Sequence, residues 1–173
     1  MSQTDKTNKF TIAVYVDNKF GVLTRVTSMF TRRGFNIDSL TVGETENPAY
    51  SRITLTMSGD GYARDQMLNQ LRKLINVRKV QVLEPEKSVA RELLLLKLAN
   101  DPSVRQDVLM AVNVYRASII DYSPDALSIE VTGAPSKIDA FIELMRPFGI
   151  IEMCRTGLVA INRGSSTIFK DGQ

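Results

Sequence analysis

The residues best suited to chemistry lie in one short polar segment, 17–23, with the sequence Asp-Asn-Lys-Phe-Gly-Val-Leu. If a helix begins near Val22, its first N–H groups have no partner within the helix, and its dipole places positive charge there. Gly21 would let a ligand approach these groups because it has no Cβ. The Asn18 amide can donate and accept hydrogen bonds, so it suits the carboxylate or the ammonium of an amino acid. The segment fits capture of a small zwitterion, although an ordinary turn with an N-terminal cap explains its spacing more simply.

Catalytic and metal chemistry have little support elsewhere in the chain. Histidine is absent and Cys154 is the only cysteine, which excludes imidazole catalysis, a Cys/His zinc site and an intramolecular disulfide. We expect Cys154 to be a small buried apolar residue rather than a redox centre. Neither a phosphate-binding loop pattern nor a cluster of Asp, Glu or Lys is visible. We therefore predict no catalytic residues and no metal site.

The composition is that of an ordinary globular protein. The 173 residues are 43% apolar and 24% charged, and the net charge of +3 comes from basic residues scattered along the chain. This scatter is weak evidence for a nucleic-acid partner, and the paired basic residues at 32–33 and 72–73 fit solvated helix positions. No 18-residue apolar run and no leader-like start is present, so we expect a cytoplasmic protein that does not bind membranes.

Hydrophobic periodicity predicts the elements that must position the polar segment. An alternating pattern indicates a strand, and spacing of three and four residues indicates a helix. In chain order the first half contains a strand at 10–16, a helix from Val22 to Gly34, strands at 36–42 and 53–57, a helix whose apolar core stripe runs from Met67 to Ile75, and a strand at 77–83. The order is β-α-β-β-α-β.

The second half repeats this order after a charged, proline-containing segment at 84–88, where we place a domain boundary. Apolar runs near 93–98, 119–120, 127–131 and 150–154 indicate strands, and two helical patterns separate them. We predict a disordered N-terminus at 1–9, a first domain at 10–84, a linker at 85–90 and a second domain at 91–173.

The repeated order predicts the α+β class, with two ferredoxin-like domains whose helices pack on one face of an antiparallel sheet. The face of the first sheet that does not pack against the helices must be buried by another part of the protein or by a partner. Thr54 and Thr56, small and β-branched, alternate with apolar residues and suit contact with another sheet or a second chain. We therefore expect an oligomer in which sheets pair or pack across a dimer.

A longer sequence pattern surrounds the polar segment. It is followed by Phe-Thr-Arg-Arg-Gly-Phe-Asn-Ile-Asp-Ser-Leu-Thr-Val at 30–42. The pattern continues with Ser-Arg at 51–52, Arg-Glu-Leu at 91–93, Ile-Ile-Asp at 119–121 and Arg-Thr-Gly at 155–157. Together these residues resemble the small, regulatory subunit of acetolactate synthase, whose N-terminal part is an ACT domain. Arg-Gly-Phe-Asn-Ile with the later Arg-Thr-Gly makes the resemblance specific, and it covers nearly the whole chain.

The resemblance implies that the chain does no chemistry itself and binds no cofactor. In this family a large subunit, expected to hold thiamine diphosphate, magnesium and FAD, condenses two pyruvates or pyruvate with 2-ketobutyrate. The small subunit raises that activity and confers feedback inhibition by valine. The implied partners are the large catalytic subunit, a second copy joined through the ACT domain and a branched-chain amino acid.

The resemblance also implies which residues bind the effector. The turn of one chain would take the amino acid together with a segment that a second chain contributes. The implied residues are Asn18, Lys19, Phe20, Gly21, Val22, Leu23, Asn36, Ile37 and Asp38. For Asp38, a surface position is an equally good explanation. Arg32 and Arg33 are candidate contacts to the large subunit, and a solvated helix end explains them equally well.

Two other functions remain alternatives. An amino-acid-responsive transcription regulator could use an ACT-like module, but no helix-turn-helix segment or basic arm is visible. An enzyme acting alone would have to use Asp, Glu, Lys or Cys154, and no cluster of these is apparent.

Overall fold

The structure, a computed structural model, describes residues 8–170. The chain divides into two compact units, the first containing the described residues up to Val89 and again from Leu158, and the second containing Ala90–Gly157. Most of the predicted disordered N-terminus lies outside the described residues, but Asn8 and Lys9 already belong to the first strand. Among the described residues, no helix combines the length and apolarity needed to cross a membrane.

The first unit has the predicted β-α-β-β-α-β order. Its elements are β1 (Asn8–Asp17), α1 (Val22–Arg32), β2 (Ser39–Glu44), β3 (Tyr50–Gly59), α2 (Gly61–Arg72) and β4 (Val77–Leu83). The strands form an antiparallel sheet in the order β2-β3-β1-β4, so β2 and β4 are its edges.

One face of this sheet and the two helices enclose the first core. Alternate residues of β1 and β3 point to the helices, as expected for a period of two. Val14 lies opposite Ile53 on one side and Val80 on the other, and all three side chains are buried. From the helices, Phe30 and Leu71 contribute large buried side chains. The alternating pattern therefore identified the core face of this sheet correctly.

The apolar stripe of α2 is shorter than predicted. The helix ends at Arg72, with Lys73 as its C-cap, so residues beyond it no longer follow helical periodicity. Leu74 still packs partly buried against the core, but the side chain of Ile75 is 81% exposed. The prediction that Ile75 is a core residue is wrong.

The second unit repeats the order around a separate core. Its elements are β5 (Ser88–Ala99), which begins before the unit, α3 (Arg105–Val114), β6 (Ser118–Tyr122), β7 (Ala126–Gly133), α4 (Pro135–Met145) and β8 (Ile150–Arg155). The strand order is β6-β7-β5-β8. Leu94, Leu96 and Leu98 of β5 are buried, as a central strand requires.

Cys154 is exposed, which corrects the prediction that it is buried. It lies on β8, the last strand in the order β6-β7-β5-β8. It pairs in register with Leu95 of β5, whose side chain is 39% exposed. The neighbouring residues of β5, Leu94 and Leu96, point to the core instead. Because side chains alternate along a strand, Cys154 faces away from the helices.

After the second unit the chain returns to the first, whereas we expected residues 91–173 to form one domain. The returning segment includes β9 (Val159–Asn162). It buries the apolar side chains of Leu158, Ala160 and Ile168. It also makes polar and aromatic contacts: Asn162 donates to Gln81 Oε1 at 2.9 Å, and the rings of Tyr15 and Phe169 meet edge to face at 4.8 Å. The first unit is therefore built from two separate segments of the chain.

The returning segment lies on the sheet face opposite the helices. Arg52 Nη2 donates to the carbonyl of Ala160 at 2.8 Å, and burial lowers the pKa of Arg52. Thr54 and Thr56 on this face are 3% and 6% exposed in the single chain. Of the two expected covers for these threonines, another sheet or a second chain, the second is therefore wrong, since both side chains are already buried within one chain.

Candidate functional site

The polar segment forms a tight turn between β1 and α1. α1 begins at Val22, as predicted, and Gly21 is its N-cap with φ of 79°. This left-handed conformation is accessible to glycine but strained for most other residues. A Cβ at this position would meet no atom within 4 Å. The backbone at the start of the helix is therefore open to a ligand.

The start of α1 carries the positive end of the helix dipole. The Val22 N–H donates to Lys19 O at 3.3 Å, and the Arg25 N–H donates to Gly21 O at 3.1 Å. The N–H groups of Leu23 and Thr24 belong to the first turn, which has no intrahelical acceptors. No acidic residue lies in that turn. A carboxylate would be stabilised here by the exposed N–H groups and the helix dipole.

Asn18 does not cap the helix, since among the described residues no side chain caps that end. Its Nδ2 donates to Glu44 Oε1 and to Pro48 O, both at 3.0 Å. Its backbone N–H donates to Ala49 O at 2.8 Å. Asn18 Nδ2 is thus used by the end of β2 and by the loop that follows it, and Oδ1 is left as an acceptor. The arrangement suits an ammonium better than a carboxylate.

Asp17 ties the turn to the opposite edge of the sheet. Its buried carboxylate accepts from Arg78 Nε at 2.6 Å, Arg78 Nη2 at 2.8 Å and Asn76 Nδ2 at 3.1 Å. These hydrogen bonds, those of Arg78 above all, lower the pKa of Asp17. The turn therefore starts from a fixed position.

Other predicted residues of the turn differ in what they can offer a ligand. The side chain of Val22 is 5% exposed and belongs to the core, so only its backbone can face a ligand. Phe20 is fully exposed and Leu23 is 41% exposed. Lys19 is exposed too, with Nζ 3.9 Å from Asp17. Phe20 and Leu23 thus offer apolar surface beside the open amides.

The second predicted segment, with Asn36 and Ile37, lies before β2 rather than within the predicted strand at 36–42. Its next residue, Asp38, donates its N–H to Thr56 O and accepts from Ser58 Oγ, both at 2.8 Å. Asn36 is exposed, and Ile37 packs partly buried against the core.

This segment and the turn occupy opposite ends of one sheet. Asp17 lies opposite Tyr50 on β3, while Asp38 meets Thr56, six residues further along the same strand. Six residues of strand span about 20 Å. Within one chain the two predicted parts of the site are not brought together. They can contact one small ligand only if two copies supply them.

Arg32 and Arg33 are exposed at the far end of α1. Arg33 Nη2 donates to Gln70 Oε1 at 3.2 Å. Both positions are compatible with a partner contact and with a solvated helix end.

Sequence reasoning missed the polar groups that support the turn. Glu44, which orients Asn18, lies 26 residues from it in the sequence, and Arg78, which holds Asp17, lies 61 residues away. No local spacing signals such pairs, because strand pairing brings them together. Among residues 8–170, no group of three or more side chains able to hold a metal ion is found.

The fold and the open helix start define the first unit as an ACT domain. A model described as "AHAS small subunit-like ACT domain" matches residues 12–79. A second model, described as "Small subunit of acetolactate synthase", matches residues 91–164.

Whole-chain comparisons extend this assignment. A probable acetolactate synthase small subunit of Methanothermobacter thermautotrophicus is 50% identical over 158 residues, covering 91% of this chain and 94% of the relative. An acetolactate synthase small subunit of Mycolicibacterium smegmatis is 45% identical over 154 residues, covering 89% and 91%. The crystal structure of acetolactate synthase small subunit from Thermotoga maritima superposes with a TM-score of 0.86 at 40% identity, covering 92% and 99%. The chain belongs to the acetolactate synthase small-subunit family.

Proposed function

We propose that this chain is a regulatory subunit that binds the large catalytic subunit of acetolactate synthase, raises its activity and makes it sensitive to valine. The observation that carries the proposal is the match to acetolactate synthase small subunits over about nine-tenths of the chain. The active site, with thiamine diphosphate, magnesium and FAD, belongs to the large subunit. The complex acts in the biosynthesis of valine, leucine and isoleucine.

Valine binds at the turn between β1 and α1. The exposed N–H groups of the first turn of α1 receive its carboxylate, and Gly21 leaves room for it. Asn18 Oδ1 accepts from the ammonium, since both donors of this amide are engaged within the chain. An acceptor for the ammonium on the same turn as donors for the carboxylate favours a zwitterion over a simple carboxylic acid.

A second copy completes the pocket. β2 is an edge strand, and its last three residues are exposed. If β2 pairs antiparallel with β2 of a second copy, Ser39 of one lies beside Glu44 of the other. Asn18, bonded to Glu44, then approaches Asn36 and Ile37 across the pair. The polar amide of Asn36 joins the ammonium site, and the exposed part of Ile37 contacts the isopropyl group.

The proposal is tested by assaying the catalytic subunit with pyruvate, thiamine diphosphate and magnesium, with and without this chain and valine. Gly21→Asp places a carboxylate where the ligand carboxylate binds, and Asn36→His enlarges the contributed segment. Each variant should lose valine inhibition, with the half-inhibitory concentration raised about tenfold or more, and keep activation. Calorimetric titration of valine into each isolated variant should show a matching loss of affinity. The same titration of the wild type gives the number of sites per chain.

Gly164→Asp is the matched control, because Gly164 also has positive φ, 64°, and open space around its Cβ position. It should leave valine inhibition unchanged. If both site variants kept normal inhibition, the assignment of the pocket would be wrong. If the wild-type chain failed to raise the activity of its catalytic subunit, the regulatory function itself would be wrong.

A further inference from the structure

A groove on the first unit lies beside the turn, and of its lining residues only Val22 also belongs to the proposed effector turn. It runs between the first half of α1 and the segment that joins α2 to β4, and its cavity volume is about 130 Å³. Its lining residues are Val22, Arg25 and Val26 from α1, and Lys73, Leu74, Ile75, Asn76 and Val77 from the connecting segment. The groove is mainly apolar.

Ile75 stands at this groove with its side chain 81% exposed. Exposed aliphatic side chains are common singly, but this one adjoins an apolar groove and an exposed helix start. Burying it in a complex would remove a large apolar surface from water, which favours binding. Ile75 therefore has the properties of an anchor for a protein partner.

Hydrogen bonds hold the segment around Ile75 in place. The backbone of Asn76 accepts from the N–H of Asp17 at 2.9 Å, and its side chain donates to the Asp17 carboxylate at 3.1 Å. Asn76 Oδ1 also accepts from Arg25 Nη1 at 3.1 Å. The Val77 N–H donates to Leu74 O at 3.0 Å. A surface held in this way loses little conformational entropy when it binds.

The groove is positively charged, which favours a partner with an acidic surface. Arg25 and Lys73 line it, and none of its lining residues is acidic. The nearest carboxylate in this network, Asp17, is neutralised by Arg78. An apolar side chain flanked by carboxylates would match the groove in shape and charge.

We propose that this groove docks the large catalytic subunit of acetolactate synthase through an acidic surface segment that inserts an apolar side chain beside Ile75. The inference rests on the proposed regulatory function and names the surface that carries it. Asp17 and Val22 belong both to the effector turn and to the walls or supports of the groove.

The test uses the full chain and its catalytic subunit, and it titrates activation against small-subunit concentration. Ile75→Asp should raise the concentration needed for half-maximal activation about tenfold or more, as expected for a central anchor. Lys73→Glu should raise it as well, and the wild-type value should rise with salt because exposed charges are screened. Calorimetry should show wild-type valine affinity for both variants, since neither residue touches the proposed pocket.

Tyr62→Asp is the control, because Tyr62 is 74% exposed and sits at the other end of α2. Tyr62→Asp should activate the catalytic subunit as the wild type does. All three variants should have the thermal unfolding midpoint of the wild type. If Ile75→Asp activated as well as the wild type, or if Tyr62→Asp were as defective as Ile75→Asp, the groove would not be the docking site. The proposed regulatory function would be unaffected by either result. A change in the oligomeric state of Ile75→Asp alone, without its partner, would assign the groove to a second copy and overturn the proposal.

Discussion

At the scale of single residues, the turn depends on side chains that bind no ligand themselves. Asp17 is 4% exposed and receives three hydrogen bonds from Arg78 and Asn76. A buried carboxylate with these partners is stabilised in its charged form, which explains why its pKa lies below its ordinary value of 3.8. The same bonds hold both the turn proposed to bind the effector and one wall of the groove.

Asp17 should make the stability of the chain depend on pH in the acid range. Because its pKa is lower in the folded chain, its contribution is fully present above pH 3.8 and is lost as the pH falls through the folded value. Asp17→Asn should therefore be less stable than the wild type at pH 7 and lose less stability on acidification. Urea unfolding between pH 7 and pH 3 measures both effects. An unchanged acid dependence would contradict this role, and the exposed Asp65→Asn variant serves as control.

Glu44 acts on the site through Asn18. It accepts one of the two hydrogen bonds that turn the Asn18 amide, and Pro48 O accepts the other. The reversed amide would place its oxygen against a carboxylate and a carbonyl oxygen. Electrostatic repulsion therefore keeps Oδ1 directed away from the loop.

Glu44→Ala should weaken valine binding about three- to tenfold, the effect of losing roughly 1 kcal/mol of hydrogen bonding. The exposed position of Glu44 means that folding stability should change little. Calorimetry with valine measures the affinity, with Glu46→Ala as the neighbouring control. Wild-type affinity in Glu44→Ala would show that the orientation of Asn18 does not matter for the ligand.

At the scale of elements, α1 serves several purposes along 11 residues. Its buried side, with Val26, Met29 and Phe30, belongs to the first core. Its first turn exposes N–H groups, and Arg25 lines the groove. Packing against the sheet therefore fixes the helix start that the proposed ligand and the proposed partner share.

Loss of this packing should destabilise the first unit strongly. Phe30 is 1% exposed, and Phe30→Ala should lower the free energy of unfolding by about 3–5 kcal/mol. The next residue, Thr31, is exposed, and Thr31→Ala should change the same quantity by less than about 0.5 kcal/mol. Urea denaturation of both variants tests the difference. Similar values for the pair would mean that α1 is not anchored through its buried side.

At the scale of the whole molecule, the chain passes through the second unit and then returns to the first. The returning segment covers the sheet face opposite the helices, through the contacts of Ala160 and Phe169. A face built for a second chain would leave Thr54 and Thr56 accessible, and they are buried. The dimer proposed above would use the edge strand β2 instead.

The returning segment should contribute to the stability of the first unit. Ile168 is 6% exposed, and Ile168→Ala should lower the free energy of unfolding by about 2 kcal/mol. Ile161 in the same segment is 60% exposed and provides a control of identical chemistry. Ile161→Ala should change stability by less than about 0.5 kcal/mol. Equal unfolding midpoints for the two variants would show that the segment does not pack on the sheet as described.

The sequence alone determined the order of elements in both units, the core face of the first sheet and the helix start at Val22, because these depend on local periodicity and on a glycine at a turn. Only the tertiary structure decided the exposure of Ile75 and Cys154, which depends on where a helix stops and which way a strand faces. It also decided the links from Asp17 to Arg78 and from Asn18 to Glu44, and the return of the chain after Gly157. These contacts join residues far apart in the chain, and sheet pairing, which no local spacing records, brings them together.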